Sequence, residues 1–264
     1  MKALFFAALA VYFAAVALQF TGTAFKKPRL LRAAWLVFLA AFAVHTVFLI
    51  VRGVAARRLP LSNQFEFANA FAWGVSLLTI VLSRRMKADW LAVAAMPAAL
   101  LVMVYAALQP MEIHDLMPAL RSAWFGVHIG SAVLSYAAFV IAGAISLRYL
   151  VAVKKGGVDE HGLRQMDYLS YRMVAFGFLF LTVVILSGAI WAEQAWSSFW
   201  SWDPKEVWAL ITWIIYAVYL HLHLRSRGKD NRTFLAWYLV IAVPVVFFTF
   251  AGVNTFMHGL HTYG

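Results

Sequence analysis

Long apolar runs recur along this chain and leave it few ways to fold. Eight are read: Leu4–Phe20, Ala33–Val51, Phe67–Leu82, Trp90–Leu108, Trp124–Val153, Val174–Ala192, Val207–Leu224 and Phe234–Gly252. About 20 apolar residues suffice for a helix to cross the hydrocarbon core of a bilayer. Lipid offers no partners to backbone N–H and C=O groups, so a spanning segment is a helix or part of a closed barrel. Barrel strands alternate apolar and polar residues, and these runs do not. The pattern predicts an all-α, polytopic membrane protein of about eight transmembrane helices. With 64% hydrophobic and 12% charged residues, the chain has too little polar surface for a soluble domain of its length. No linker and no internal repeat interrupts it, so residues 1–264 read as one integral membrane domain.

The net charge of +11 raises the question of nucleic acid, and its placement answers it. The loops after the first, third, fifth and seventh runs carry sixteen of the 22 Lys and Arg residues. Among these are Lys26, Lys27, Arg84, Arg85, Lys154, Lys155, Arg225 and Arg227. The opposite loops hold Lys2, Arg52, Arg57, Arg58, Arg121 and Lys205. Short cytoplasmic loops are the basic ones, which predicts both termini on the extracytoplasmic side. The charge orients the chain in a bilayer and does not form a nucleic-acid footprint. The first run has a single leading Lys2 and is followed by Lys26 and Lys27, an asymmetry reversed from that of a signal peptide, so it is read as a true span.

Cysteine is absent. The chain therefore has no disulfide and no thiolate metal site, and without a C-x-x-C-H it is not itself a c-type cytochrome. Eight histidines become the main candidate metal ligands.

The segment between the sixth and seventh runs, predicted to lie outside, reads WAEQAWSSFWSWDPKEVWALITW. An interfacial aromatic belt accounts for two or three tryptophans. It does not account for Trp191, Trp196, Trp200 and Trp202 followed at once by Asp203, Pro204, Lys205 and Glu206. Several large flat rings in one loop, residues 191–206, suggest a platform for a large flat apolar ligand. Pro204 suits the first turn of a helix that Asp203 caps.

The run Trp196-x-x-x-Trp200-x-Trp202-Asp203-Pro204-Lys205-Glu206-x-Trp208 resembles the tryptophan-rich WWD signature of haem-handling proteins. Its continuation is similar to that of the CcsA (ResC) family of system II cytochrome c biogenesis. Other segments agree in order. Pro60, Ser62, Asn63 and Glu66 resemble the family's P-x-S-N-x-x-E. Trp124, His128 and Tyr136 resemble its W-x-x-x-H helix start, and Gly252, Asn254, Gly259, Leu260, His261 and Tyr263 its tail. Ser197 and Thr262 stand where the family usually has glycine and serine.

The resemblance implies a subunit of a cytochrome c synthase. It would move or present haem b, as substrate and transient ligand, at the extracytoplasmic face and promote thioether attachment to an apocytochrome C-x-x-C-H. His128 and His261 would be the external iron ligands. Trp196, Trp200, Trp202, Asp203 and Trp208 would hold the ring. His221, at the family's L-H position, and His45, the other deep histidine, would serve a second haem within the bilayer. From the expected spans, His45 lies about 18 Å and His221 about 5 Å from the inner face, so a shared haem requires tilted helices. His223 is expected to point away from His221. Glu66 and Glu206, each at a helix start, are read as structural carboxylates. The implied partners are a CcsB/ResB-type membrane protein, apocytochrome c, thiol-reducing proteins and the lipid bilayer, without nucleic acid. The implied location is a bacterial cytoplasmic membrane, or a thylakoid membrane if the source is a plastid. Three alternatives stay open: a haem exporter or chaperone without attachment activity, a di-haem b-type electron-transfer protein, and a non-haem transporter with a tryptophan-lined mouth.

Overall fold

The computed structural model describes residues 1–86, 89–225, 231–257 and 259. All its regular structure is helical, and eight helices are long and apolar enough to cross a membrane. The chain is a multi-pass membrane protein of the all-α class. It forms two compact units, Met1–Leu116 and Met117–Gly264.

The first unit holds α1 (Lys2–Ala24), α2 (Pro28–Ala56), α3 (Gln64–Met86) and α4 (Asp89–Ala107). The α1–α2 hairpin is tight because Gly22 carries no side chain where Leu30 and Leu31 cross it. Pro28 then opens α2 at a position whose N–H would have no helical partner anyway. α2 ends on Arg57 in the left-handed region (φ 52°), with the Arg58 N–H donating back to Gly53 O. Asn63 starts α3 by accepting from the Glu66 N–H at 2.9 Å.

Glu66 shows why the P-x-S-N-x-x-E segment has its spacing. Its carboxylate is wholly buried. It accepts from Arg52 Nε at 2.9 Å, from Arg58 at 2.7 Å, and from the Ser62 backbone and hydroxyl at 2.9 and 3.0 Å. Arg52 donates its two remaining nitrogens to the carbonyls of Met111 and Glu112. The segment is a clasp that ties α2, the start of α3 and the end of the unit together.

The second unit is built around α5 (Ala123–Lys155), whose most apolar stretch is 78% buried, against 33% for α6 (Glu160–Trp196), 17% for α7 (Pro204–Arg225) and 39% for the last span. The α5–α6 crossing is close because Gly177 faces Phe139 and its carbonyl takes the Ser135 hydroxyl at 2.8 Å. Gly143 gives the same close approach to Val243 on α8 (Arg232–Phe247).

Most helices run a few residues past the spans read from sequence, α2 by five at each end, and two differences have a distinct physical cause. α6 starts at Glu160, so residues assigned to a basic loop form helix instead. Asp159 caps it through the Gly162 N–H, and Met166, Leu169 and Ser170 are buried. A run-length reading misses this stretch because it is amphipathic rather than apolar throughout. The last span also continues past Gly252. Pro244 interrupts the α8 ladder, a five-residue π-helical turn follows at Phe248–Gly252, and α9 (Val253–Phe256) completes it.

Candidate functional site

α5 opens with Ser122 accepting from the Trp124 N–H, and His128 follows in the second turn. Its Nδ1 lies 2.8 Å from Val184 O on α6. A carbonyl only accepts, so Nδ1 carries a proton, and in the neutral ring the lone pair is on Nε2. This is the tautomer of a metal-ligating histidine, whose second nitrogen is normally held by a carbonyl or carboxylate. Gly188 makes the arrangement possible, since a Cβ there would lie 2.7 Å from Nδ1. The far side of the half-exposed imidazole stacks on Trp191, with centroids 5.8 Å apart and planes 28° apart.

Trp191 is 1% exposed and is fixed by its indole N–H donating to Ala119 O at 2.7 Å. Trp196 meets it edge-on at 5.0 Å. His128, Trp191 and Trp196 therefore form one aromatic wall. Trp191 was noted in sequence as part of the tryptophan loop, but its place beside His128, Gly188 and Val184 O was not foreseen. The i, i+4, i+7 spacing of the three α6 residues was visible, but its meaning depends on the α5–α6 register.

α6 ends on Ser197 at φ 55°. A left-handed residue here explains why glycine, which adopts that conformation without strain, suits the position in the family signature. Trp202 is also left-handed (φ 58°), is 70% exposed, and stands perpendicular to Trp200 at 5.7 Å. A large side chain held in that conformation is strained by about 1–2 kcal/mol, and such strain gathers at functional sites.

The start of α7 then holds the loop. Glu206 Oε2 accepts from the backbone N–H groups of Ser201 (2.8 Å) and Asp203 (3.2 Å), and Asp203 Oδ1 accepts from that of Lys205 (2.9 Å). Glu206, like Glu66, is structural. Asp203 is 6% exposed, and a Cβ at Gly259 would collide with its Oδ2. The buried carboxylate thus seats the tail two residues before His261. Trp208 makes a ring contact with Phe248, at 4.4 Å. His261 lies outside the described residues, as do His258, Thr262 and Tyr263.

The deep histidines fall in different units. His45 belongs to the first unit and is wholly enclosed, 3.4 Å from the Tyr12 hydroxyl. His221 belongs to the second unit and is exposed on α7. His223 is half-buried against α6, 3.3 Å from an Asp167 oxygen and stacked on Tyr171 at 4.4 Å. The two α7 histidines have the opposed facings that their spacing predicts.

These features define a helical membrane protein with a histidine-and-tryptophan site where α5, α6 and the start of α7 meet. Residues 61–261 match the family model described as cytochrome C assembly protein. The chain is 36% identical to the cytochrome c biogenesis protein CcsA of Synechococcus sp. (strain CC9605), covering 88% of each protein. It is 36% identical to that of Chlamydomonas reinhardtii, covering 83% of this chain and 64% of the alga's protein, and 31% to that of Pyropia yezoensis, covering 88% and 87%. The chain belongs to the CcsA family of cytochrome c assembly proteins. Its fold is similar to that of the cytochrome c haem lyase CcmF (TM-score 0.68, 16% identity), covering 92% of this chain and 44% of that one.

The geometry makes a first prediction. Gly188→Ala should preserve the fold, since alanine favours helix, but push the His128 ring out of place. A displacement near 1 Å is expected to lower site function roughly a hundredfold, read as the amount of mature cytochrome c in cells.

Proposed function

We propose that this chain presents haem b, its substrate, at the extracytoplasmic face and promotes its attachment to apocytochrome c. His128 and His261 hold the iron from its two sides. Trp196, Trp200, Trp202 and Trp208 contact the ring, and Asp203 secures the loop and the tail. The observation that carries this reading is the fixed tautomer of His128, Nδ1–H on Val184 O beside the Trp191 ring, with Nε2 as the donor nitrogen. Each thiol of the C-x-x-C-H adds across one haem vinyl group. The sulfur bonds one vinyl carbon, and the thiol proton ends on the other. Thiols are competent nucleophiles, so the main contribution of the chain is to hold the two reactants together in the required orientation. One iron ligand then yields to the histidine of the cytochrome.

The partners in this reading are a CcsB/ResB-type membrane protein and the proteins that keep the apocytochrome thiols reduced. The membrane is a bacterial cytoplasmic membrane, or a thylakoid membrane if the source is a plastid. Both termini face outward, as the basic loops imply. A cytoplasm-active reporter fused at Gly264 should be silent and one fused in the 156–159 loop active. The reverse result overturns the orientation. The test of function is co-expression of the chain with a CcsB-type partner and an apocytochrome, scored by covalent haem on the cytochrome.

His221 and His45 complete the reading as ligands of haem inside the bilayer. His221 is accessible on α7, whereas haem reaches His45 only if α1, α2 and α3 part. His221→Ala is expected to lower copurified haem by half or more, with His223→Ala near wild type. Equal losses would place the ligand on the wrong face of α7.

A further inference from the structure

The last span does not run to its end as a plain α-helix, and the interruption lies against the start of α7. Pro244 removes one N–H from the α8 ladder. Phe248–Gly252 then wind as a π-helical turn before α9 resumes the α-helical pitch. A π-turn holds one residue more than the α-turn it replaces, and such turns gather at functional sites. Because each residue of α-helix turns about 100° and rises about 1.5 Å, the additional residue resets the direction in which the chain beyond it points.

The turn is keyed to α7 at two points. Thr212 and Thr249 are both buried. Thr212 donates its hydroxyl proton to Trp208 O at 2.7 Å, so its oxygen accepts from the Thr249 hydroxyl, 2.8 Å away. The second point is aromatic. Phe248 packs on Trp208 with centroids 4.4 Å apart. Gly252 leaves room for the phenyl ring, since a Cβ there would lie 2.5 Å from it. Seven residues beyond Gly252 is Gly259, where a Cβ would lie 3.0 Å from Asp203 Cγ. The turn itself therefore touches Trp208, and the chain that leaves it returns to Asp203. Both residues belong to the tryptophan-rich segment that starts α7.

We propose that the π-turn Phe248–Gly252 sets the geometry of the external site. Thr249 and Phe248 are positioning residues that lock the turn onto Thr212 and Trp208, and the additional residue aims the tail so that Gly259 seats on Asp203. The purpose of this arrangement rests on the proposed haem reading; the seating of the tail does not. With one residue fewer, the turn would become α-helical. The chain beyond it would rotate by about 100°, and each following Cα would move by about 3–4 Å around the helix axis. A functional constellation tolerates displacements of only about 0.5 Å. Gly259, and with it His261 two residues further, would be aimed away from Asp203.

The absence of cysteine permits a test without haem. In a chain carrying Asp203→Cys and Gly259→Cys, the first sulfur takes the place of Asp203 Cγ, 3.0 Å from the Cβ of the second, close to the spacing across a disulfide. The pair is expected to close under mild oxidation of the full chain in lipid nanodiscs. Deletion of Ala251 should slow closure about tenfold or more, because cysteines moved apart by several ångströms do not bridge. Thr249→Val, which keeps the shape and removes the hydroxyl, should slow it severalfold, and Thr249→Ser should restore it; this pair decides the matter where the deletion does not fold. A second reading keeps Asp203 and Gly259 native and uses the haem that copurifies with the CcsB-type partner. Its low-spin signal is expected to turn high-spin in the Ala251 deletion and to return with imidazole. Equal closure with the native turn, the deletion and Thr249→Val overturns the proposal. So does a haem signal that changes in His128→Ala but in neither turn variant. Slowed closure beside a haem signal indifferent to His128→Ala refutes the haem reading and upholds the hold of the turn on the tail.

Discussion

His128→Ala is expected to abolish covalent haem attachment to a co-expressed apocytochrome, and added imidazole to restore part of it. The alanine removes the nitrogen donor but leaves the space in front of Val184 O and Trp191 that the ring occupied. Free imidazole fits that space and supplies the same donor atom, because axial ligation requires a nitrogen at the iron rather than a tether. His261→Ala should behave alike. Trp202→Ala should not, since the exposed indole offers ring contact worth about 1–3 kcal/mol that imidazole does not replace. Haem-stained gels of the cytochrome check all three. Full activity in both histidine variants, or equal rescue of Trp202→Ala, contradicts the division between ligands and platform.

Glu66→Ala is expected to cripple the first unit. Its carboxylate is the counter-charge for Arg52, 2% exposed, and for Arg58. Deleting one partner of a buried ion pair destabilises by about 3–5 kcal/mol because the remaining charge is left uncompensated. The variant should lose most of its monodisperse yield in detergent, while Glu66→Gln, which keeps an acceptor oxygen, should lose less. Melting curves of the purified proteins decide this, and a wild-type transition for Glu66→Ala would contradict the clasp.

The spans were legible because a bilayer demands length and apolarity, and both can be read without knowing any contact. The polar start of α6 was not, because Glu160–Arg172 earns its helix by packing Met166 and Leu169 rather than by composition. His128 was legible as a candidate from its motif and its place near a span end. What positions it was not, since Val184 O, Gly188 and Trp191 acquire meaning only when α5 and α6 are in register. The same holds for the contact between Asp203 and Gly259, 56 residues apart in sequence. Glu66 and Glu206 each hold neighbouring groups in place, but the dipole argument foresaw neither the arginine pair on the first nor the two loop N–H groups on the second. The depth mismatch of His45 and His221 took a different form in the structure, where one histidine is enclosed in the first unit and the other exposed on the second.

The most direct test of the external site is the low-temperature electron paramagnetic resonance spectrum of the oxidised haem that copurifies with the chain and its CcsB-type partner. Any haem on His221 or His45 is removed from the comparison by recording spectra in a His221→Ala, His45→Ala background. The account predicts a low-spin bis-histidine signal that turns high-spin in His128→Ala and returns with imidazole. A low-spin signal unchanged by His128→Ala would contradict it.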